Sequence, residues 1–350
     1  MRRAPSLTLT ATKRAVTAVL LSLATACAQT QSSDASGYRI FEMRSDLVRP
    51  VRPTGDQNIA WLDEERVLFE GWDRVLKDRL APDREPGALH GLYIWNIRTG
   101  EVTRYSSDPL RSDMCFAEGY ISYVVSRGGQ QMRLEGPFGK EEPLPILTNG
   151  SRDRQVNRFT CKSFRRSELP KPLVGGGIEP LRPEHGWLEY TGSATWLRSP
   201  NGDLTLLTDD GRPMGTVMPQ KYSLPAQKYI FWRPFDSNTW LITGSGSTEF
   251  EPVPDGPVKR ARVEPAAGDG RLMRSTQLNP RRAWDAGEAG LYVYRRQASA
   301  QRLITGLVPA LQVHSSGCLA TLIVDPWNRE RRELKLMAVK TCHGVSNVDK

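Results

Sequence analysis

This chain of 350 residues predicts an all-β fold built from repeats. Helical periodicity is scarce, while short runs rich in Val, Ile, Leu, Tyr and Trp recur between Gly, Pro, Asp and Asn. One form repeats three times, as Gly119-Tyr120-Ile121-Ser122-Tyr123, Gly186-Trp187-Leu188-Glu189-Tyr190 and Gly317-Cys318-Leu319-Ala320-Thr321. A second form, Gly91-Leu92-Tyr93-Ile94-Trp95, is echoed by Gly290-Leu291-Tyr292-Val293-Tyr294, each followed by another strand, near 102–105 and 302–304.

The N-terminus reads as an export leader. Arg2, Arg3, Lys13 and Arg14 form a basic start, and the apolar run 15–24 is too short to span a bilayer comfortably. Small residues then lead to Leu23-Ala24-Thr25-Ala26-Cys27, which resembles the lipobox of bacterial lipoproteins. The resemblance implies a signal peptide over 1–26 and a lipidated Cys27. The rival is cleavage at the A-x-A site Ala26-Cys27-Ala28, before Gln29, which releases a secreted or periplasmic protein. The small, polar stretch that follows suits a flexible tether over 27–37 and favours the lipoprotein. Ala28, in place of an aspartate, favours an outer-membrane anchor facing the periplasm, with the lipid as the membrane contact. No later segment is apolar enough to cross a membrane.

Four of the 48 basic residues lie in the leader, so 44 basic residues face 39 acidic ones beyond it. Clusters such as Lys259-Arg260-Ala261-Arg262 and Arg329-Glu330-Arg331-Arg332 read as solvated turns. With no basic stripe in view and export implied, nucleic acid is not an expected partner. Five cysteines become four once Cys27 is lipidated or removed. An even number in an oxidising compartment suggests two disulfides, with three possible connectivities.

The repeats follow in order. Ile59-Ala60-Trp61-Leu62 turns through Asp63-Glu64-Glu65 into Val67-Leu68-Phe69, and Tyr229-Ile230-Phe231-Trp232 turns through 234–238 into Trp240-Leu241-Ile242. In the second form Thr99-Gly100 supplies a hairpin turn. Residues 92–106 resemble the outer hairpin of a TolB-like or WD-type propeller blade, and 115–123 the inner one. The resemblance implies a β-propeller, and five inner hairpins make it five-bladed over 38–343, with a disordered tail expected at 344–350. Its expected blades are 58–107, 113–148, 157–208, 227–306 and 310–342, with insertions near 72–89, 165–184 and 245–287. The last blade shows three strands, and Tyr38-Arg39-Ile40-Phe41-Glu42-Met43 is the expected fourth, closing the ring and removing open sheet edges. On this fold Cys318 pairs with Cys342 across a hairpin. Cys115 pairs with Cys161 between the first strands of neighbouring blades.

Chemistry is sparse. Gly244-Ser245-Gly246-Ser247 lacks a strand–turn–helix context, and Gly175-Gly176-Gly177 lies among prolines without a phosphate-loop pattern. No C-x-x-C occurs and His343 beside Cys342 lacks further ligands, so neither a metal nor a cofactor is expected. Of His90, His185, His314 and His343, His314 is placed to face a central channel. Some five-bladed propellers are glycosidases, whose two carboxyls sit about 5–5.5 Å apart for retention or about 6.5–9.5 Å for inversion. The available acids, Asp63, Asp113, Glu118 and Asp236, read mostly as turn residues. Trp61, Trp95, Trp187, Trp196, Trp232 and Trp240 read as packing, whereas Trp72, Trp284 and Trp327 lie in or beside loops and are the binding candidates. The favoured reading is an envelope-anchored, non-enzymatic module that docks an envelope protein or a cell-surface polymer through its insertions. The alternative is a carbohydrate-binding or carbohydrate-cleaving propeller.

Overall fold

A computed structural model of the chain describes residues 38–51, 58–73, 90–106, 108–145, 154–209, 211–232, 239–243, 248–251, 261–268, 270–275, 289–295, 299–326 and 333–342, with a two-residue strand at Ser32–Ser33. Cys27, Asp236, Trp284, Trp327, His343 and the tail 344–350 lie outside the described residues. Among those described, the regular structure is β, apart from one 3-10 turn at Arg166–Glu168. No described helix is long and apolar enough to cross a membrane.

Six antiparallel sheets follow one another along the chain. Blade 1 takes Val48–Pro50, Arg66–Asp73, His90–Asn96 and Val102–Arg104, with Ile59–Trp61 also paired to Arg66–Asp73. Blade 2 takes Leu110–Ala117, Tyr120–Arg127, Gln130–Pro137 and Glu142–Pro145. Blade 3 takes Gly177–Pro180, Trp187–Tyr190, Thr195–Arg198 and Leu204–Leu206. Blade 4 takes Pro219–Ser223, Lys228–Trp232, Thr239–Thr243 and Thr248–Glu251. Blade 5 takes Ala261–Pro265, Arg271–Ser275, Gly290–Tyr294 and Gln301–Thr305. Blade 6 takes Leu307–Val313, Leu319–Asp325 and Lys335–Lys340, and Arg39–Glu42 pairs beside Lys335–Lys340 with Arg39 opposite Lys340. Two-stranded ribbons stand outside the sheets, one of Arg154–Val156 with Ser163–Arg165, the other of Thr208–Asp209 with Arg212–Pro213.

The expected count of five blades is therefore corrected to six four- or five-stranded sheets. Residues 227–306 hold the greater part of two sheets, because the expected insertion contains the hairpin of Ala261–Pro265 with Arg271–Ser275. Its buried Glu264 and Arg274 give it the polarity of a loop. The expected third blade also shifts. Its first strand, Gly177–Pro180, lies inside the presumed insertion, and the region 154–165 forms the separate ribbon.

The sheets are apolar on both faces, so their strands read as continuous hydrophobic runs. On Arg66–Asp73, Val67 and Phe69 pack toward blade 6, against Ile323 and Leu336, while Leu68 packs toward blade 2, against Met114 and Ile121. A one-residue slip would exchange these faces and lose both contacts. Blade 5 packs on blade 6 through Leu272, Leu291, Leu311 and Leu322, and blade 3 on blade 4 through Leu188, Leu197, Tyr229 and Phe231. Meander sheets packed face to face, with the last lying against the first, form a propeller-repeat fold.

The glycines of the recurring form have a backbone cause. Gly119, Gly186 and Gly317 have φ of 76, 86 and 71°, in the left-handed region that glycine enters without steric cost. Glu118 and Gly119 are both positive, as a two-residue type I′ hairpin turn requires. Both disulfides are formed, with Cα–Cα distances of 5.4 Å for Cys115–Cys161 and 4.9 Å for Cys318–Cys342.

Candidate functional site

The first strands of the sheets converge on a cavity of about 420 Å³. Every sheet contributes: Trp61 comes from Ile59–Trp61 of blade 1, and the first strand or the turn after it supplies Glu118 from blade 2, Arg182 from blade 3, Tyr222 from blade 4, Glu264 from blade 5 and His314 from blade 6. The 154–165 ribbon adds Arg158 and Phe159 at its tip, which the Cys115–Cys161 bridge fastens to the first strand of blade 2. The cavity is thus the axial funnel of the ring.

Its charges are joined across blades. Arg182 makes a bidentate pair with Glu118, at 3.0 and 2.8 Å, and its Nε reaches Glu184 at 2.6 Å. The same guanidinium lies 4.7 Å from the centroid of Tyr222. Arg158 pairs with Glu179 at 2.6 Å and donates to the Pro219 carbonyl at 3.1 Å. Lys221 pairs with the buried Glu264 and donates to the Leu311 carbonyl at 2.9 Å. Each cation on the wall thus sits on a carboxylate from a neighbouring element. Burial pushes the Glu179 carboxyl above the usual range, with Arg158 pulling it back.

A polar relay backs the wall. The Arg182 amide donates to the Tyr229 hydroxyl at 3.0 Å, and that hydroxyl lies 2.8 Å from His185 Nδ1. Burial holds His185 below its ordinary pKa, with Glu184 opposing and Arg182 reinforcing, and the ring's tautomer sets which of His185 and Tyr229 donates. On the opposite wall Trp61 donates to the Gln312 carbonyl at 3.1 Å and meets His314 edge to face at 5.7 Å. Burial likewise lowers His314, against Glu64 and Asp63.

Of the sequence candidates, His314 and Glu118 line the funnel. Asp63 instead caps its own turn, accepting from the amides of Glu65 and Arg66 at 2.9 and 2.8 Å and from Arg66 Nε at 2.6 Å. Burial alone would raise its carboxyl, and these bonds outweigh it and hold the pKa low. The side chain of Asp113 lies outside the described residues. Trp72 is the penultimate residue of Arg66–Asp73, at the strand's end and opposite His90, whose ring it meets at 4.0 Å. Arg158, Arg182, Lys221 and Tyr222 escaped sequence reasoning. The signal was slight: cations within short, otherwise ordinary strands and turns. Among the described residues no group of three His, Cys, Asp or Glu is placed to hold a metal.

No protein-family model and no curated protein matches the chain. Solved structures do resemble it. A catalytically inactive variant of virginiamycin B lyase from Staphylococcus aureus, with quinupristin, is 12% identical over 87% of this chain and 100% of its own, at a TM-score of 0.48. TolB from Acinetobacter baumannii is 12% identical over 81% of this chain and 78% of its own, at 0.38. The C-terminal WD40 domain of Sif2 is 10% identical over 85% and 97%, at 0.35. At such scores these likenesses carry no argument about what the chain binds or does.

Proposed function

We propose that this chain is a non-enzymatic binding propeller of the cell envelope, held at the outer membrane through lipidated Cys27 and docking a protein or a cell-surface polymer. In this reading Arg39–Glu42 closes the ring, and the insertion near 72–89, with Trp72, Trp284 and Trp327, supplies contacts. The observation that carries it is the mutual pairing of the funnel's ions: Arg182 with Glu118 and Glu184, Arg158 with Glu179, and Lys221 with Glu264. Groups held this way make a rigid wall and spend their hydrogen bonds on one another, which suits a scaffold better than acid–base work.

The test is crosslinking on intact cells, followed by membrane fractionation. The wild-type chain should incorporate acyl label and yield a discrete crosslinked adduct, and Cys27→Ser should release it from the membrane. A mature N-terminus at Gln29 would remove the anchor from this reading. A glycosidase activity that disappears in Glu118→Gln while the fold persists would replace docking with catalysis.

A further inference from the structure

A second cavity, of about 970 Å³, opens between the 154–165 ribbon and blade 3. Its floor is apolar and half-exposed, formed by Phe164, Leu169, Pro170, Ile178 and Tyr190, with Met218 exposed at one end. Its rim is basic. Residues 154–171 carry six basic side chains and one acidic, Glu168. Arg166 and Lys171 line the opening and are exposed, with Arg154 and Arg165 exposed beside it. Glu168 is exposed and one of its carboxylate oxygens accepts from the Arg165 amide at 3.0 Å. The floor's own acid, Glu179, is paired with Arg158.

The groove is held open by its supports. Fully buried Glu189 accepts from the amides of Leu173 and Val174 at 2.6 and 3.1 Å, and from Arg198 Nη1 at 3.1 Å. Arg198 also donates to the Lys171 carbonyl at 3.2 Å. The Pro/Gly-rich segment is thereby fixed along one side. Gly176 and Gly177 let it lie on Tyr190, since a Cβ at either would fall 1.7 Å from the Tyr190 carbonyl oxygen or 2.2 Å from its ring. On both flanks the groove meets strands at the margin of their sheets: the short ribbon and the first strand of blade 3.

We infer that this groove receives an extended, acidic segment of a protein partner, with its apolar side chains on the floor and its carboxylates against Arg166 and Lys171. An opening between marginal strands suits an extended chain, and charge complementarity selects an acidic one. The inference rests on the docking reading and names the partner chemistry for it.

The probe is a fluorescein-labelled synthetic peptide of alternating glutamate and leucine, titrated against the full chain by fluorescence anisotropy. Binding should weaken on raising salt, and Arg166→Glu with Lys171→Glu should weaken it by about tenfold or more. A glutamine-for-glutamate peptide and polyglutamate should both bind less well, because each lacks one half of the complementarity. Thermal melting of the double variant must match wild type; if it does not, Arg166→Gln with Lys171→Gln replaces it, with the same direction of effect expected. Tyr222→Ala, in the axial funnel, should leave peptide binding intact. Equal binding of polyglutamate or polyphosphate overturns the inference in favour of a general polyanion surface, and unchanged affinity in a folded charge variant overturns it outright. If the crosslinked adduct in cells survives the charge variant, the groove inference fails and the docking reading stands.

Discussion

Glu189 carries more of the structure than its place in a strand would suggest. It is a fully buried carboxylate that joins two loop amides to Arg198. Glu189→Ala leaves Arg198 without this partner and both amides without their acceptor, and should cost about 3–5 kcal/mol in urea unfolding. Proteolysis within 169–176 should rise in the same variant. His185 gives a pH signature. Its folded pKa lies below the ordinary 6.5 because burial disfavours the charged ring. The stability it contributes is therefore complete above about 6.5 and is lost as pH falls through the depressed folded value. His185→Gln should flatten this acid limb of the stability curve, measured as denaturation midpoint against pH. His90 and His314 are lowered by burial as well, and will retain part of the slope.

At the scale of the element, the 154–165 ribbon depends on one covalent tie. The Cys115–Cys161 bridge closes a loop over a sequence separation of 46. Cys115→Ser with Cys161→Ser should cost about 4 kcal/mol by the loop-entropy relation, and amide exchange in the ribbon should quicken. Exchange that stays slow would show that Asn157, bonded to the Leu181 carbonyl at 2.8 Å, and the Arg158–Glu179 pair suffice. The strands most legible in the sequence were those with runs apolar on both faces, such as Leu319–Asp325, or a recurring glycine, such as the one before Tyr120–Arg127. Ala261–Pro265 and Arg271–Ser275 were missed because buried Glu264 and Arg274 sit where the pattern demands apolar residues. Arg274 lies 3.9 Å from Glu264 within the hairpin, and further compensation comes from other sheets. Lys221 of blade 4 reaches Glu264, and Arg274 donates to the Pro309 carbonyl of blade 6 at 3.0 Å. No local pattern announces such partners. The funnel was legible only in His314 and Glu118, since Arg158, Arg182 and Lys221 take carboxylate partners, Glu179, Glu118 and Glu264, that lie tens of positions away.

At the scale of the whole molecule, blade 6 joins the N-terminal part of the described chain to its C-terminal part. Arg39–Glu42 covers the edge of Lys335–Lys340, with Ile40 opposite Val339 and Phe41 opposite Ala338. Deleting 38–43 should bare that edge and produce concentration-dependent association in light scattering, together with a lower melting temperature. A monomeric, equally stable deletion product would show that the edge needs no cover.

The same pairing sets a schedule. The partner of Arg39 is Lys340, so the N-terminal strand emerges long before the residues it must meet. Contacts of such separation are the slowest a chain can make. The wait is shortened by order, because each blade that folds between them replaces loose chain with a rigid step and brings the two ends nearer. Loop closure grows only slowly with length, by about 0.6 kcal/mol per doubling, so the final pairing is limited by how well the intervening blades are stacked. A lesion in any blade, however distant, should therefore be felt as delay at this seam. During that delay the uncovered edge of Lys335–Lys340 is open to strands from other chains.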